Sequence, residues 1–335
     1  MDKIVTLGID LAKNVFAVHG VNSNGGVVVQ RMLTRAKLSE FVAKLAPCLI
    51  GMEACSGSHD WARRFQSVGH QVKLMNPAFV TPYRKGGKND GNDAEAICEA
   101  VSRPSMRFVP IKSLEQQAIL TLHRVREGFV EERIATIQRI RGLLGEFGIV
   151  LGLRPSRLSN ELAASIEPLP ELARRALDDL REHLRGLEAR LRDYDREIAH
   201  LAKTEERSKR LLSIPGVGPT TASAIVASIG SGHDFKNGRQ FAAWLGLVPA
   251  QWSSGGKNRL GRITKRGDAY LRKLLVLGAR SILVKKVPTD RTTRWAQALY
   301  ARASYHKTCV AIAAKNARII WSILANGGTY RSVSD

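Results

Sequence analysis

Over the first hundred residues the apolar positions fall in short runs that alternate with polar ones. Ile4–Ile9 is apolar and β-branched, Val15–Val21 alternates, and Val27–Leu33 follows a Gly25-Gly26 turn. A two-residue period with short connections predicts three consecutive antiparallel strands. Leu38–Leu45 then reads as a short helix and Cys48–Met52 as a buried strand. Ser58–Ser67 is a second helix with Gly69 just beyond it, Gln71–Met75 a fifth strand, and a helix runs from about Asn92 to Val101, ended by Pro104.

From Leu114 the period lengthens. Val130, Ile134, Ile137, Ile140, Leu144 and Phe147 recur every three or four places, and a Gly/Pro/Ser break follows at Gly152–Ser159. After Pro168 and Pro170, Leu177, Leu180, Leu184, Leu187, Leu191, Tyr194, Ile198 and Leu201 alternate spacings of three and four between charged flanks. That is a coiled-coil seam. It serves either an intermolecular interface or a helical hairpin within the chain. Beyond Glu206, LLSIPGVGPTTASAIVASIG reads as a hairpin between helices, and basic helices follow. The divisions are 1–112, 113–205 and 206–335. The order βββαβαβα of the first is that of an α/β ribonuclease-H-like fold. The second is an α-helical, coiled-coil oligomerisation region, and the third is mainly α with a helix-hairpin-helix element.

Charge narrows the partner. Lys plus Arg number 52 against 30 acids, a formal +22 over 335 residues, which draws polyanions and releases counterions from a phosphate backbone. The stretch from Lys257 to Lys286 carries ten Lys/Arg and one acid, Asp268. Lys257, Arg259, Arg262, Lys265, Arg266, Arg272 and Lys273 are its candidate nucleic-acid contacts. No basic amphipathic helix offers a Trp/Phe face to lipid. No apolar run of eighteen residues stands out, and MDKIVTLGIDLAK reads as a strand rather than a signal peptide. The expected location is the cytoplasm, with no membrane partner. Cys48, Cys55, Cys98 and Cys309 form no CxxC pair and no zinc spacing, as expected of reduced, mostly structural thiols.

Against this basic background four acids stand out. Asp10 ends the first strand in GID, and Glu53 ends the fourth in GMEA. Asp90 and Asp93 open the last helix of the first division in KNDGNDAEAI. In the proposed fold the first and fourth strands are neighbours, so Asp10 and Glu53 emerge together. Four carboxylates in one cleft repel, and hard divalent cations with oxygen ligands relieve that repulsion. Two ions about 3.5–4 Å apart activate an attacking oxygen and stabilise a leaving one in phosphodiester displacement. Taken singly, each acid also has a bland role: a strand terminator, a turn residue before Gly91, a first-turn acid favoured by the helix dipole. GID-x-x-K also resembles the phosphate loop of actin-like ATPases, but no second phosphate loop accompanies it.

QWSSGGKNRLGRITKRG sets Ser253 and Ser254 before a glycine pair and a basic run. A serine there either attacks phosphorus covalently or hydrogen-bonds phosphate from a flexible loop. IPGVGPTTA, with Gly216 and Gly218, reads as a helix-hairpin-helix turn whose amides cup a backbone phosphate, or as a glycine-rich packing turn.

Taken in order, GIDLAK, MEACSG, KNDGNDAEAI, IPGVGPTTA and WLGLVPAQWSSGGKNRLGRITKRGD resemble the DEDD transposases of the insertion-sequence-one-ten and eleven-eleven type, the bridge-RNA-guided recombinases. The likeness covers nearly the whole chain. It implies a RuvC-like domain, a coiled-coil insert and a C-terminal transposase domain with a nucleophilic serine. Asp10, Glu53, Asp90 and Asp93 match the metal ligands, for two Mg²⁺ ions or Mn²⁺, and Ser254, with Ser253 adjacent, matches the nucleophile. The implied partners are donor and target DNA, a structured noncoding guide RNA, and further copies of the chain as dimers and tetramers. The implied chemistry is cutting and rejoining of strands through a phosphoserine–DNA intermediate. The competing readings are a stand-alone metal-dependent nuclease resolving Holliday junctions and a non-catalytic nucleic-acid-binding assembly protein.

Overall fold

Three antiparallel strands open the chain, as the alternation predicts: β1 (Thr6–Asp10), β2 (Val15–Val21) and β3 (Val27–Thr34). They are followed by α1 (Arg35–Ala43), β4 (Leu49–Glu53), α2 (Ser58–Ser67) and β5 (Gln71–Met75). A short α3 (Pro77–Val80), a 3₁₀ turn (Thr81–Tyr83), α4 (Asp90–Val101) and β6 (Phe108–Val109) complete the sheet and its cover. The computed structural model describes residues 3–87, 89–152, 155–284 and 290–331, in two compact units, Met1–Leu114 and Glu115–Asp335.

The first unit is a mixed six-stranded sheet in the order β3-β2-β1-β4-β5-β6. β4 runs parallel to both β1 and β5, and this agrees with a ribonuclease-H-like arrangement. On one face Leu7, Ile9, Phe16, Val18, Ile50 and Met52 bury against Leu38 of α1 and Trp61 and Phe65 of α2. On the other, α4 packs Ile97, Ala100 and Val101 with Met75. β6 pairs only two residues with β5, too few for any period to show in the sequence.

The second unit is helical: α5 (Leu114–Gly145, whose first residue closes the first unit), α6 (Pro155–Ile166), α7 (Glu171–Thr204), α8 (Glu206–Leu211), α9 (Pro219–Ile229) and α10 (Gly238–Trp244). A two-stranded hairpin, β7 (Pro249–Gln251) and β8 (Leu260–Ile263), interrupts the helices before α11 (Ala269–Val284), α12 (Arg291–Tyr300) and α13 (Tyr305–Asn326). The break expected at Gly152–Ser159 is short. Leu153 and Arg154 lie outside the described residues, and a helix already starts at Pro155, because proline is well suited to a first helical position.

The heptad seam needs no second chain to bury it. Leu177 and Leu184 pack on Ile137, Ile140 and Leu144 of α5. Antiparallel cross-pairs continue along the two helices: Arg133 with Glu188 at 3.3 Å, Arg126 with Asp195 at 2.6 Å, and the rings of Phe129 and Tyr194 with centroids 5.6 Å apart. Of the two readings of the seam, the helical hairpin within the chain is the one these contacts favour. Spacing reveals an apolar stripe but not whose surface covers it.

Among the described residues one helix, α13, is long and apolar enough to cross a membrane, with a mean hydropathy of 1.3. Its Lys307, Lys315 and Arg318 hide it from a simple count of apolar runs. Ile312, Ala313, Ala317 and Ile320 of this helix are fully buried in the core of the second unit.

His123 ties three helices of that unit together. It is buried on α5, with Nε2 3.1 Å from Ser223 Oγ on α9 and Nδ1 3.1 Å from Tyr270 Oη on α11. Burial, helped by Arg126, lowers its pKa to about 4. The unfolded chain, with histidine near about 6.5, therefore binds a proton that the native state refuses. The resulting stability is complete above pH ~6.5 and is lost as pH falls towards 4, on the order of 2–3 kcal/mol. Urea unfolding at pH 7 and pH 4.5 should show this slope. His123→Gln should be less stable at both values but lose the His123 share of the difference, and an unchanged slope would rule His123 out as its source.

Candidate active site

Parallel register pairs Gly8 with Gly51 and Ile9 with Met52, so Asp10 and Glu53 end adjacent strands, which lie about 4.8 Å apart. Side chains alternate along a strand. Asp10 and Glu53 therefore share the face opposite Ile9 and Met52, and this is the face that α4 covers. The helix lies close because the glycine two places before each acid has no side chain. A Cβ on Gly8 would stand 2.2 Å from the Ala94 carbonyl oxygen, and one on Gly51 2.8 Å from Val101 Cβ. The matched triplets Gly8-Ile9-Asp10 and Gly51-Met52-Glu53 thus combine helix approach, core packing and a carboxylate at the strand end.

α4 begins where its cap dictates. The Asn89 side chain accepts from Asn92 N at 2.8 Å, and Asp90 and Asp93 occupy the first turn, where the helix dipole favours anions. Asp93 Oδ1 accepts from Arg84 Nη1 at 3.2 Å. Cys55 lies near the other pair. Burial raises its thiol pKa, and the negative charges of Glu53 and then Asp10 push it the same way. One thiol senses both carboxylates.

The four acids do not form one cluster in the side-chain positions observed. Among the described residues no three His, Cys, Asp or Glu side chains gather closely enough to hold an ion. The acids stand as a pair at the ends of β1 and β4 and a pair in the first turn of α4. The donor set still suits a hard divalent cation. It is all carboxylate oxygen, and a guanidinium already stands in as the positive charge at Asp93.

The second unit carries the serines. Gly255 and Gly256, at φ +54° and +76°, make the two-residue turn that favours both central positions left-handed. Lys257 N donates to Ser254 O at 3.0 Å across it. The two serines differ. Ser253 Oγ lies 2.8 Å from Gln251 Nε2 and donates to Asn258 Oδ1 at 3.2 Å. The exposed Ser254 hydroxyl makes no hydrogen bond among the described residues. Trp252, 67% exposed, lies over Gly261, where a Cβ would come within 2.3 Å of the indole.

Lys257, Arg259, Arg262, Lys265 and Arg266 are exposed and make no ion pair among the described residues. Arg272 and Lys273 are otherwise engaged: Arg272 Nη1 donates to Leu245 O at 3.0 Å, and Lys273 pairs with Glu127 of α5. Their placement on α11 gives each a partner within the chain, and the Lys273 side chain stays 45% exposed. Lys285 and Lys286 lie outside the described residues.

The turn between α8 and α9 shows two different glycines. Gly216 has φ +78°, and a Cβ there would stand 2.6 Å from the Gly278 carbonyl oxygen of α11. Asn316 of α13 also holds the turn, donating Nδ2–H to Pro215 O at 2.9 Å. Gly218, the N-cap of α9, is exposed with nothing within 4 Å of its Cβ position. Packing requires the first glycine, and the second leaves the backbone open. Sequence reasoning missed Arg84, Gly278 and Asn316, which have no motif of their own and matter only through contacts made elsewhere in the chain.

Comparison with known proteins adds an independent line. Residues 7–149 match a family model of DEDD transposases of the IS110 type, described as "Transposase", and residues 208–300 match the "Transposase IS116/IS110/IS902 family". A "Probable family 20 transposase" of Pseudomonas aeruginosa is 48% identical over 331 residues, spanning 97% of this chain and 98% of its own. The transposase for insertion sequence element IS1111A of Coxiella burnetii is 42% identical over 336 residues, spanning 99% and 92%. That for IS1328 of Yersinia enterocolitica is 39% identical over 333 residues, spanning 98% and 99%.

Proposed function

Since this chain belongs to the IS110/IS1111 family of insertion-sequence transposases, and so processes DNA with divalent-metal dependence, we propose that it is an RNA-guided recombinase that cuts and rejoins DNA through Ser254. The observation that carries the catalytic half of this reading is the pairing of Asp10 and Glu53 at the ends of adjacent parallel strands, under the helix whose first turn bears Asp90 and Asp93.

In this reading Asp10, Glu53, Asp90 and Asp93 hold two Mg²⁺ ions, or Mn²⁺. When bound, these ions supply Lewis-acid stabilisation of charge at phosphorus and lower the pKa of an oxygen nucleophile. Ser254 stands unbonded at a glycine turn, open to an approaching backbone. Its Oγ forms a bond to phosphorus and gives up its proton, while the phosphodiester bond to the leaving strand breaks and that strand's oxygen takes a proton. The phosphate remains as an ester of serine. A hydroxyl of the incoming strand then attacks the same phosphorus and returns Ser254 to its free form. No net phosphodiester is lost, as strand exchange requires. Lys257, Arg259, Arg262, Lys265 and Arg266 neutralise backbone around the serine, and the open amides at Gly218 and the α9 N-terminus take a further phosphate. Gly216 serves the shape of that turn.

Donor and target are specified by pairing with a structured RNA from the noncoding end of the element, and the chain works as a dimer pairing into a tetramer. The α5–α7 seam is already buried, so that assembly uses another surface. The test is reconstitution of the purified chain with DNA carrying the element junction, with and without RNA transcribed from the adjacent noncoding end. Cleavage should require both the RNA and a divalent metal. Equal cleavage without RNA would remove guidance from the proposal and leave a metal-dependent nuclease.

A further inference from the structure

The loop before α4 carries a cation that the reading above leaves without a role. Arg84 Nη1 lies 3.2 Å from Asp93 Oδ1, with the two side chains only 28% and 21% exposed. Two further contacts lay the loop along the helix: Lys85 Nζ approaches Glu95 Oε1 at 3.6 Å, and Asn92 Nδ2 donates to Gly87 O at 2.8 Å. Gly86, at φ +81°, turns the chain between them.

A guanidinium and a divalent cation compete for the same carboxylate lone pairs. The fixed positive charge of the guanidinium, held against Asp93 Oδ1 through Nη1, repels a divalent cation approaching the same carboxylate. The Asn92–Gly87 hydrogen bond holds the loop backbone on the helix, so freeing Asp93 requires only a rotation of the Arg84 side chain. A planar fork of N–H donors, released beside a phosphodiester site, is suited to the paired non-bridging oxygens of a phosphate.

We infer that Arg84 is a charge placeholder: it neutralises Asp93 in the metal-free protein, yields that carboxylate to an incoming divalent cation, and turns to the DNA phosphate being cut. This rests on the proposed metal role of Asp93. It adds a substrate-contacting residue and makes metal loading and phosphate engagement successive uses of one side chain.

The test titrates Mn²⁺ into the full chain, reading free ion by electron paramagnetic resonance, in the unmutated protein and in Arg84→Gln, Arg84→Lys and Asp93→Asn. Arg84→Gln should bind Mn²⁺ roughly 3–10-fold more tightly, because the competing charge is gone. At saturating Mn²⁺ it should cut DNA on the order of 10–100-fold more slowly, because the phosphate contact is gone. Arg84→Lys, which keeps charge without the fork, should fall between on both measures. Asp93→Asn should weaken Mn²⁺ binding. If it does so while Arg84→Gln leaves Mn²⁺ affinity unchanged or weaker, the placeholder role is overturned and the metal site stands. Tighter Mn²⁺ binding with undiminished cutting would overturn the phosphate contact. Unchanged Mn²⁺ binding in Asp93→Asn would overturn the metal site itself, and the Arg84 inference with it.

Discussion

Asp93→Asn should lower strand cleavage by at least roughly 10³-fold, the scale expected when charge stabilisation of a phosphoryl transition state is lost, while the proposed RNA binding should stay within about 2-fold, because the exposed basic side chains of the second unit are untouched. The substitution changes almost nothing in volume but removes a full negative charge from the first turn of α4, where Asn89 caps the helix independently. It also strips Arg84 of its partner. Asp10→Asn and Glu53→Gln should behave alike, because the two acids end neighbouring strands on one face. Cleavage assays with a preformed RNA complex separate the effects. Undiminished cutting in Asp93→Asn would refute the metal assignment, whatever happens to RNA affinity.

The second large effect concerns covalent attachment. Ser254→Ala should eliminate any protein–DNA adduct that survives denaturation, reducing it on the order of 10³-fold or more, whereas Ser253→Ala should leave the adduct in place. The contrast follows from the hairpin: the Ser253 hydroxyl is held between Gln251 and Asn258, and the Ser254 hydroxyl is not held. Gel mobility of labelled DNA after detergent denaturation reads the adduct directly. An adduct that persists in Ser254→Ala and disappears in Ser253→Ala would exchange the two roles. Metal-dependent cleavage with no adduct even in the unmutated protein would point to water as the attacking group and a junction-resolving nuclease.

Much of the first unit is legible in one dimension. β2, α2 and β5 coincide with the predicted segments, and β1 and β4 differ from them by a residue or two at their ends. Strand period, β-branched content and the stops at Gly69 and Pro104 are local signals, and neighbouring strands in a mixed sheet obey simple rules of connection. The placement of Asp10 beside Glu53 followed from those rules. The α5–α7 stripe was equally visible, yet its partner was not, because an apolar seam looks the same whether the covering surface is its own chain or a copy. Sequence neighbours share a run of charge, so Arg272 and Lys273 look no different there from Lys257 or Arg259. Helix α11 instead directs them to Leu245 and Glu127.

The chain's own order of residues settles its element types, its large positive charge, and the family that its motifs share with the insertion-sequence transposases. Those properties depend on local propensity and on summed charge, which neighbouring residues and composition already contain. Tertiary structure alone decided that Gly8 and Gly51 let α4 lie against the acids, that Arg84 occupies Asp93, and that Ser253 is hydrogen-bonded while Ser254 is open. These are facts of distance between residues joined by a folded backbone. A separation of a few ångströms that closes or opens a contact is set by packing and has no trace in spacing along the chain.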